Sequence, residues 1–288
     1  MEDRRCFAQL LHPGGEHYPD EDGLKRWNRE DHKRKFLRSP GRYIEAGRPH
    51  DGEFVFWGEW EPESRVVASL TKRLPDGPHF LYEPYYAKPS SLANHQNTDP
   101  FVFGEQFLYT GCLQHTKKGP TQLRNLLPGS LVLFGSCLSR SEFMVDTVFV
   151  VRDHVDHDRL DYRKQLASVT SETYRAVTIE PWYHGDCGDG TSYRLYFGAT
   201  PENRVDGMFS FFPCLPSGSS ASGFARPIIR IEDRITPNLT QGTRMTKDLS
   251  VRQLKGIWDD VVHQVTGQGL VLGVNANLPP MRASSPAR

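Results

Sequence analysis

A mainly β, α+β fold, with mixed or antiparallel strands closing into a barrel decorated by a few helices, is what this sequence predicts. Three observations carry that reading. The 288 residues include 25 Gly and 21 Pro, so turns are frequent and segments short. Aromatic residues reach 11%, with 16 Phe and 11 Tyr, a composition that favours strands. The strand-like runs also follow one another instead of alternating with helices, which argues against a parallel α/β sheet.

The elements come in this order. Cys6-Phe-Ala-Gln-Leu-Leu11 is an opening strand stopped at His12-Pro-Gly-Gly15. Between Lys25 and Arg42 eight Lys/Arg stand against two acids, Glu30 and Asp31, with Trp27, Phe36 and Tyr43 close by; a short helix from Leu24 to Phe36 is expected there. Glu53 to Glu61 alternates as a strand, with Phe56, Gly58 and Trp60 on one face and Trp57, Glu59 and Glu61 on the other. The Pro- and Tyr-rich interval 72–97 reads as a long ordered loop. Strands are expected at 100–104, 107–113, 131–134, 143–151, 174–179, 193–197, 208–212, 227–231 and 270–274. Helical patterns appear at 121–127 with Thr121 as cap, at 156–169, and after Ser250, where Ser250 and Gln253 form a capping box and Val251, Leu254, Trp258, Val261, Val262 and Val265 share a face.

Composition excludes several classes. Lys+Arg and Asp+Glu are equal at 35 each, so the chain is no polycation, although the basic window leaves the remainder acidic. No apolar run reaches the roughly 20 residues of a membrane span, and the N-terminus lacks the apolar core of a secretory signal. A cytoplasmic location without membrane association is the expectation. The five cysteines, Cys6, Cys112, Cys137, Cys187 and Cys214, are odd in number and scattered, which speaks for free thiols.

No Walker loop, nucleophile elbow or zinc motif is present, so no cofactor and no metal are assigned. Cys112, His115, His184, Cys187 and Cys214 contain thiols and imidazoles in close spacing, and sequence alone does not decide whether they meet. Gly188-Asp189-Gly190 reads as a hairpin turn. The basic window has the composition of a nucleic-acid contact, with Lys33, Lys35 and Arg38 as the phosphate-facing candidates. Trp57, Glu59 and Trp60 can present an aromatic wall and a carboxylate to a planar ligand. Asp146 lies inside the apolar run Phe143 to Val151, where a carboxylate must face water, meet a donor, or change its pKa.

The stretch Leu123-Arg-Asn-Leu-Leu-Pro-Gly-Ser-Leu-Val-Leu-Phe-Gly-Ser136, followed by Phe143-Met-Val-Asp-Thr-Val-Phe-Val-Val-Arg-Asp153, resembles the central part of PUA-like domains, especially the EVE type. Trp57-Gly-Glu-Trp-Glu-Pro-Glu-Ser64 is similar to the opening strand of that family. The resemblance spans about 45 residues of the 288. Ser130 stands where the family has Asp, and the first fifty and last seventy-five residues have no counterpart. It implies a PUA-like pseudo-barrel that reads nucleic acid, with Trp57 lining an aromatic pocket and Ser136 at the end of a pocket-facing strand.

The expected organisation is an N-terminal strand and basic segment (1–53), a PUA-like core (54–215), a joint (216–226), a strand-helix-strand unit (227–278) and a tail (279–288). The expected function is binding of nucleic acid or a modified base or nucleotide, without catalysis, through Trp57, Glu59, Trp60, Ser136, Asp146, Trp182 and His184. The alternatives are an enzyme acting on a nucleotide or small metabolite, with Glu59 or Asp146 and His184 as acid/base groups, and a plain interaction module.

Overall fold

The computed structural model describes residues 4–12, 14–70, 76–89, 91–139, 141–185, 191–219, 223–231 and 243–282. The strands are β1 (Cys6–Leu11), β2 (Leu24–Lys25), β3 (Lys35–Glu45), β4 (Arg48–Gly58), β5 (Ser64–Ser69), β6 (Phe80–Pro84), β7 (Tyr86–Ala87), β8 (Leu108–Tyr109), β9 (His115–Thr116) and β10 (Gly119–Pro120). They continue as β11 (Leu131–Cys137), β12 (Glu142–Asp158), β13 (Ser192–Gly198), β14 (Phe212–Pro216), β15 (Ile228–Arg230), β16 (Thr243–Lys247), β17 (Val271–Ala276) and β18 (Met281–Arg282). Helices are few: α1 (Tyr162–Leu166), α2 (Glu172–Tyr174), α3 (Glu180–His184) and α4 (Val251–Gly267). The fold is α+β and mainly β.

Two seven-stranded sheets hold most strands. The first runs β16-β1-β11-β12-β13-β8, with β15 also on β12; the second runs β17-β14-β4-β3-β6-β5-β2. In the second sheet β17 pairs with β3 as well as β14, so β3, β4, β14 and β17 form a closed ring. The pairings of the other described strands add no further closure, and no barrel spans either whole sheet. Segments 1–53, 54–215 and 227–278 interleave: β1, β15 and β16 complete the first sheet, while β3 and β17 complete the second.

Alternation sorts the core. Along β11, Leu131 and Leu133 pack in one apolar cluster, and Val132 and Phe134 pack in the other, as a period of two requires when both faces are covered. Along β4, Phe54 and Phe56 go one way and Val55 and Trp57 the other. Helix α4 starts at the Ser250–Gln253 capping box and buries Leu254, Ile257, Trp258, Val261 and Val265 in the same cluster as Trp57.

The basic window does not form a helix. Lys35 begins β3, an eleven-residue strand paired with β4, β6 and β17, and those ladder bonds override local helical preference. The run 174–179 is helical instead of extended: Ser171 caps α2, and a π turn at Arg175–Ile179 joins it to α3. The amphipathic pattern at 156–169 begins inside β12 and is helical only over α1. The interval 72–97 holds β6 and β7, and β18 of the expected tail pairs with β7. Thr121 caps a single 3₁₀ turn at Gln122–Arg124. The Gly188–Gly190 turn and Cys187 lie outside the described residues.

Two measurements check this packing. Trp57 is 5% exposed, packs against Phe36 and Phe224, and donates its Nε1–H to the Phe224 carbonyl at 2.8 Å. Trp57→Ala is therefore expected to cost about 3–5 kcal/mol of stability in urea unfolding; a loss below about 1 kcal/mol would refute its place in the core. His157 is buried between Thr110 Oγ1 (2.8 Å) and the Tyr183 hydroxyl (2.7 Å), and burial pushes its pKa down from 6.5 to about 4. The unfolded chain takes up that proton more readily, so stability falls as pH drops from about 6.5 towards 4, by about 3 kcal/mol. His157→Gln is expected to flatten that fall; an unchanged slope would exclude the residue as its source.

Candidate functional site

A cluster of ionised and polar side chains is buried where the two sheets approach one another. Its root is an irregularity in β12. The β11–β12 register shifts between Phe134 and Gly135, with Phe134 opposite Thr147 and Gly135 opposite Val145, so Asp146 is the extra residue of a β-bulge. Only glycine fits at position 135, because a Cβ there would sit 1.9 Å from the Met144 carbonyl oxygen.

The bulged Asp146 is 2% exposed and is gripped by two guanidinium groups. Arg226 forks onto it, Nε to Oδ1 and Nη2 to Oδ2, both at 2.6 Å, and Arg34 Nε donates to Oδ2 at 2.7 Å. Arg226 also donates to Ser136 Oγ at 3.0 Å, and Ser136 in turn donates to the His12 carbonyl at 2.9 Å. Charge-assisted, bidentate bonds of this kind are what make buried charges tolerable.

From Arg34 the cluster passes to the end of β4. Glu59 and Glu61, two residues apart, keep the alternation of the strand and leave Trp60 in the core on the opposite side. Arg34 Nη1 lies 3.1 Å from Glu59 Oε2, and His12 Nδ1 lies 3.2 Å from the same oxygen. His32 Nδ1 is 3.2 Å from Glu59 Oε1 and 3.2 Å from Glu61 Oε1. His17 Nε2 stands 3.7 Å from Glu61 Oε2. One loop supports both glutamates: the Asp99 amide donates to the Glu59 carboxylate (Oε1) at 3.0 Å, and Thr98 Oγ1 accepts from the Glu61 backbone amide at 3.0 Å. That loop is itself fixed to the π turn, where the Thr98 amide donates to the Val177 carbonyl and Thr178 Oγ1 donates to the Thr98 carbonyl.

These contacts divide the titratable groups. Burial raises the carboxyl pKa of Glu59, but His32, Arg34 and His12 outweigh it and hold it well below the usual range. Glu61 is likewise opposed by burial and brought to about 2 by His17 and His32. Burial would discharge His32, yet the two carboxylates push it up to about 11. His12 and His17 go the other way, lowered chiefly by burial. Asp99 is pushed well above its usual value by burial, as is the Cys112 thiol beside it. Lys35 is lowered to about 7 by burial.

Several expected site residues lie elsewhere. Trp57 and Trp60 belong to the core, because their indoles fill apolar layers and their Nε1–H groups are spent on carbonyls of Phe224 and Glu63. Lys35 cannot reach a phosphate: it is fully buried, donating to the Pro62 carbonyl and Ser64 Oγ. Arg38 is paired with Glu83, while Lys33 lies two residues before β3 and is half-buried. His184 is exposed at the end of α3 and borders a cavity with Tyr86, Lys88 and Leu92, so it forms no acid/base pair with Glu59 or Asp146. Cys112 meets His12, with Sγ 3.6 Å from Nε2, and not His115, whose ring bonds the Ser192 carbonyl. Cys214 is sealed in β14. Cys6, Cys112, Cys137 and Cys214 are free thiols.

Trp182 is set apart from the other four tryptophans. Trp27, Trp57, Trp60 and Trp258 each donate Nε1–H to a backbone carbonyl, whereas the Trp182 Nε1, equally shielded, has no hydrogen-bond partner. Its indole lies over Gly111, where a Cβ would approach the ring to 3.0 Å. It borders a cavity of about 620 Å³ shared with Arg29, His95, Asn97 and Pro181. His95 Nδ1 is also without a partner, and its Nε2 lies 3.4 Å from Arg29 Nη2.

No family model matches the chain, and neither curated proteins nor solved structures give a match. Among the described residues no helix is long and apolar enough to cross a membrane.

The grip on Asp146 is testable. Asp146→Ala leaves two guanidinium groups buried without their anion, and a loss of about 3–5 kcal/mol in chemical unfolding is expected. A near-neutral result would show that Arg34 and Arg226 find water or other partners.

Proposed function

We propose that this chain binds a planar, anionic ligand of nucleotide size, a nucleotide or modified base carrying phosphate, in the cavity bordered by Trp182, Arg29 and His95. The observation that supports this most is the convergence of the Trp182 indole, the Arg29 guanidinium and the His95 imidazole on that cavity. The volume of about 620 Å³ falls within the range of small-molecule sites. An indole offers a stacking face to any base, and the Arg29 guanidinium suits a phosphate.

The ligand-binding role first expected of Trp57 thus passes to Trp182, one of the residues expected in the site. A long nucleic acid is the less favoured form of the ligand, since Lys35 is buried and Arg38 is neutralised by Glu83. The PUA-like resemblance supports recognition of a base but places it on a different wall.

Titration calorimetry with AMP, CMP, ATP and the parent nucleosides tests the proposal. Trp182→Ala is expected to weaken the best ligand ten- to a hundredfold, the equivalent of about 1–3 kcal/mol of stacking. Arg29→Ala is expected to weaken nucleotides and leave nucleosides unchanged. Binding that is indifferent to Trp182→Ala, or no binding by any of these compounds, would overturn it.

A further inference from the structure

We propose that His32, Glu59 and Glu61 form a binding site for one divalent transition-metal ion. One ligand atom from each of the three lies within 4.8 Å of the others. His32 Nδ1 is 3.2 Å from an oxygen of each carboxylate. Two atoms bound to one ion at about 2.1 Å are roughly 3.0–3.4 Å apart at octahedral or tetrahedral angles, so the side chains already stand at ligand spacing.

Unsatisfied atoms give a second, independent observation. Glu61 Oε2 and His17 Nε2 are both buried, face each other at 3.7 Å, and neither has a hydrogen-bond partner. Glu61 is 0% and His17 5% exposed at the side chain, so bulk solvent does not reach them. Glu61 turns Oε1 towards His32 and Oε2 towards His17, which places its carboxylate between two imidazoles. An ion held by both oxygens of Glu61 would satisfy its orphaned Oε2.

The surroundings are those of an oriented site. The Asp99 amide and Arg34 aim the Glu59 carboxylate from outside the proposed ligand set, and the Thr98 hydroxyl holds the backbone of Glu61. His32 is the rim: its side chain is 30% exposed while both glutamates are sealed, which gives an ion a way in. Mixed imidazole and carboxylate ligands select Zn²⁺, Mn²⁺, Fe²⁺ or Ni²⁺ over Mg²⁺ and Ca²⁺, which take oxygen sets. None of this draws on the ligand proposed for the Trp182 cavity.

The full-length protein, stripped with a chelator and dialysed, is titrated calorimetrically with ZnCl₂, MnCl₂ and MgCl₂. The expected result is one equivalent of Zn²⁺ or Mn²⁺, bound at least tenfold more tightly than Mg²⁺. His32→Asn and Glu61→Gln are each expected to weaken that binding at least tenfold, while Trp182→Ala leaves it unchanged. Circular dichroism and a thermal melt establish that each variant is folded; should Glu61→Gln unfold, the rim substitution His32→Asn decides alone. No binding of Zn²⁺ or Mn²⁺, or binding that His32→Asn leaves intact, would overturn the proposal.

Discussion

Asp146 and its two arginines are the constraint on which the rest of the interior depends. The carboxylate sits on β12 of the first sheet, Arg34 immediately precedes β3 of the second, and Arg226 precedes β15. Their bonds therefore fix how the two sheets face one another at this point. A buried triad of this kind contributes little net stability compared with an apolar replacement, because desolvation cancels most of the attraction. Its effect is on geometry. Arg34 cannot hold Asp146 and Glu59 together unless the bulge at Asp146 and the end of β4 are both in place.

How much of this was legible depended on whether the signal was local. Glu59 and Glu61 on one face, with Trp60 on the other, follow from strand alternation. Asp146 stood out because a carboxylate in an apolar run needs a donor, and the structure supplies three such bonds. The α4 capping box was equally local. Arg34 and Arg226, His12 and His17 gave no comparable signal: their partners lie 112, 80, 47 and 44 residues away, and no spacing rule spans such gaps. The basic window misled because counting charge does not show which residues are paired. Lys35 and Arg34 are among the most buried residues in the chain.

Tyr174 to Ile179 failed for a related reason. Val177, Thr178 and Ile179 are β-branched, and read alone they suggest a strand. Here they form a π turn whose widened geometry leaves the Val177 carbonyl to accept from Thr98, while Thr178 returns a bond to the Thr98 carbonyl. The irregular helix is thus the anchor for the loop that carries Thr98 and Asp99. Its reason is tertiary, and the residues that reveal it are 80 positions away.

That loop connects the two sites. Residues 94–97 form part of the wall of the Trp182 cavity, and the next two residues, Thr98 and Asp99, hold the backbone of Glu61 and the carboxylate of Glu59. Arg29 on the cavity wall is three residues from His32, and the carbonyl of Asn28, next to Arg29, accepts from the Gln96 amide. The cavity wall and the residues that hold Glu59 and Glu61 thus lie on one continuous segment. Two short chain segments, 28–32 and 94–99, carry every connection between cavity and cluster named here. The π turn holds the second segment through Thr98, and the β-bulge holds Arg34, two residues beyond His32, so two irregularities in otherwise regular elements frame the cluster.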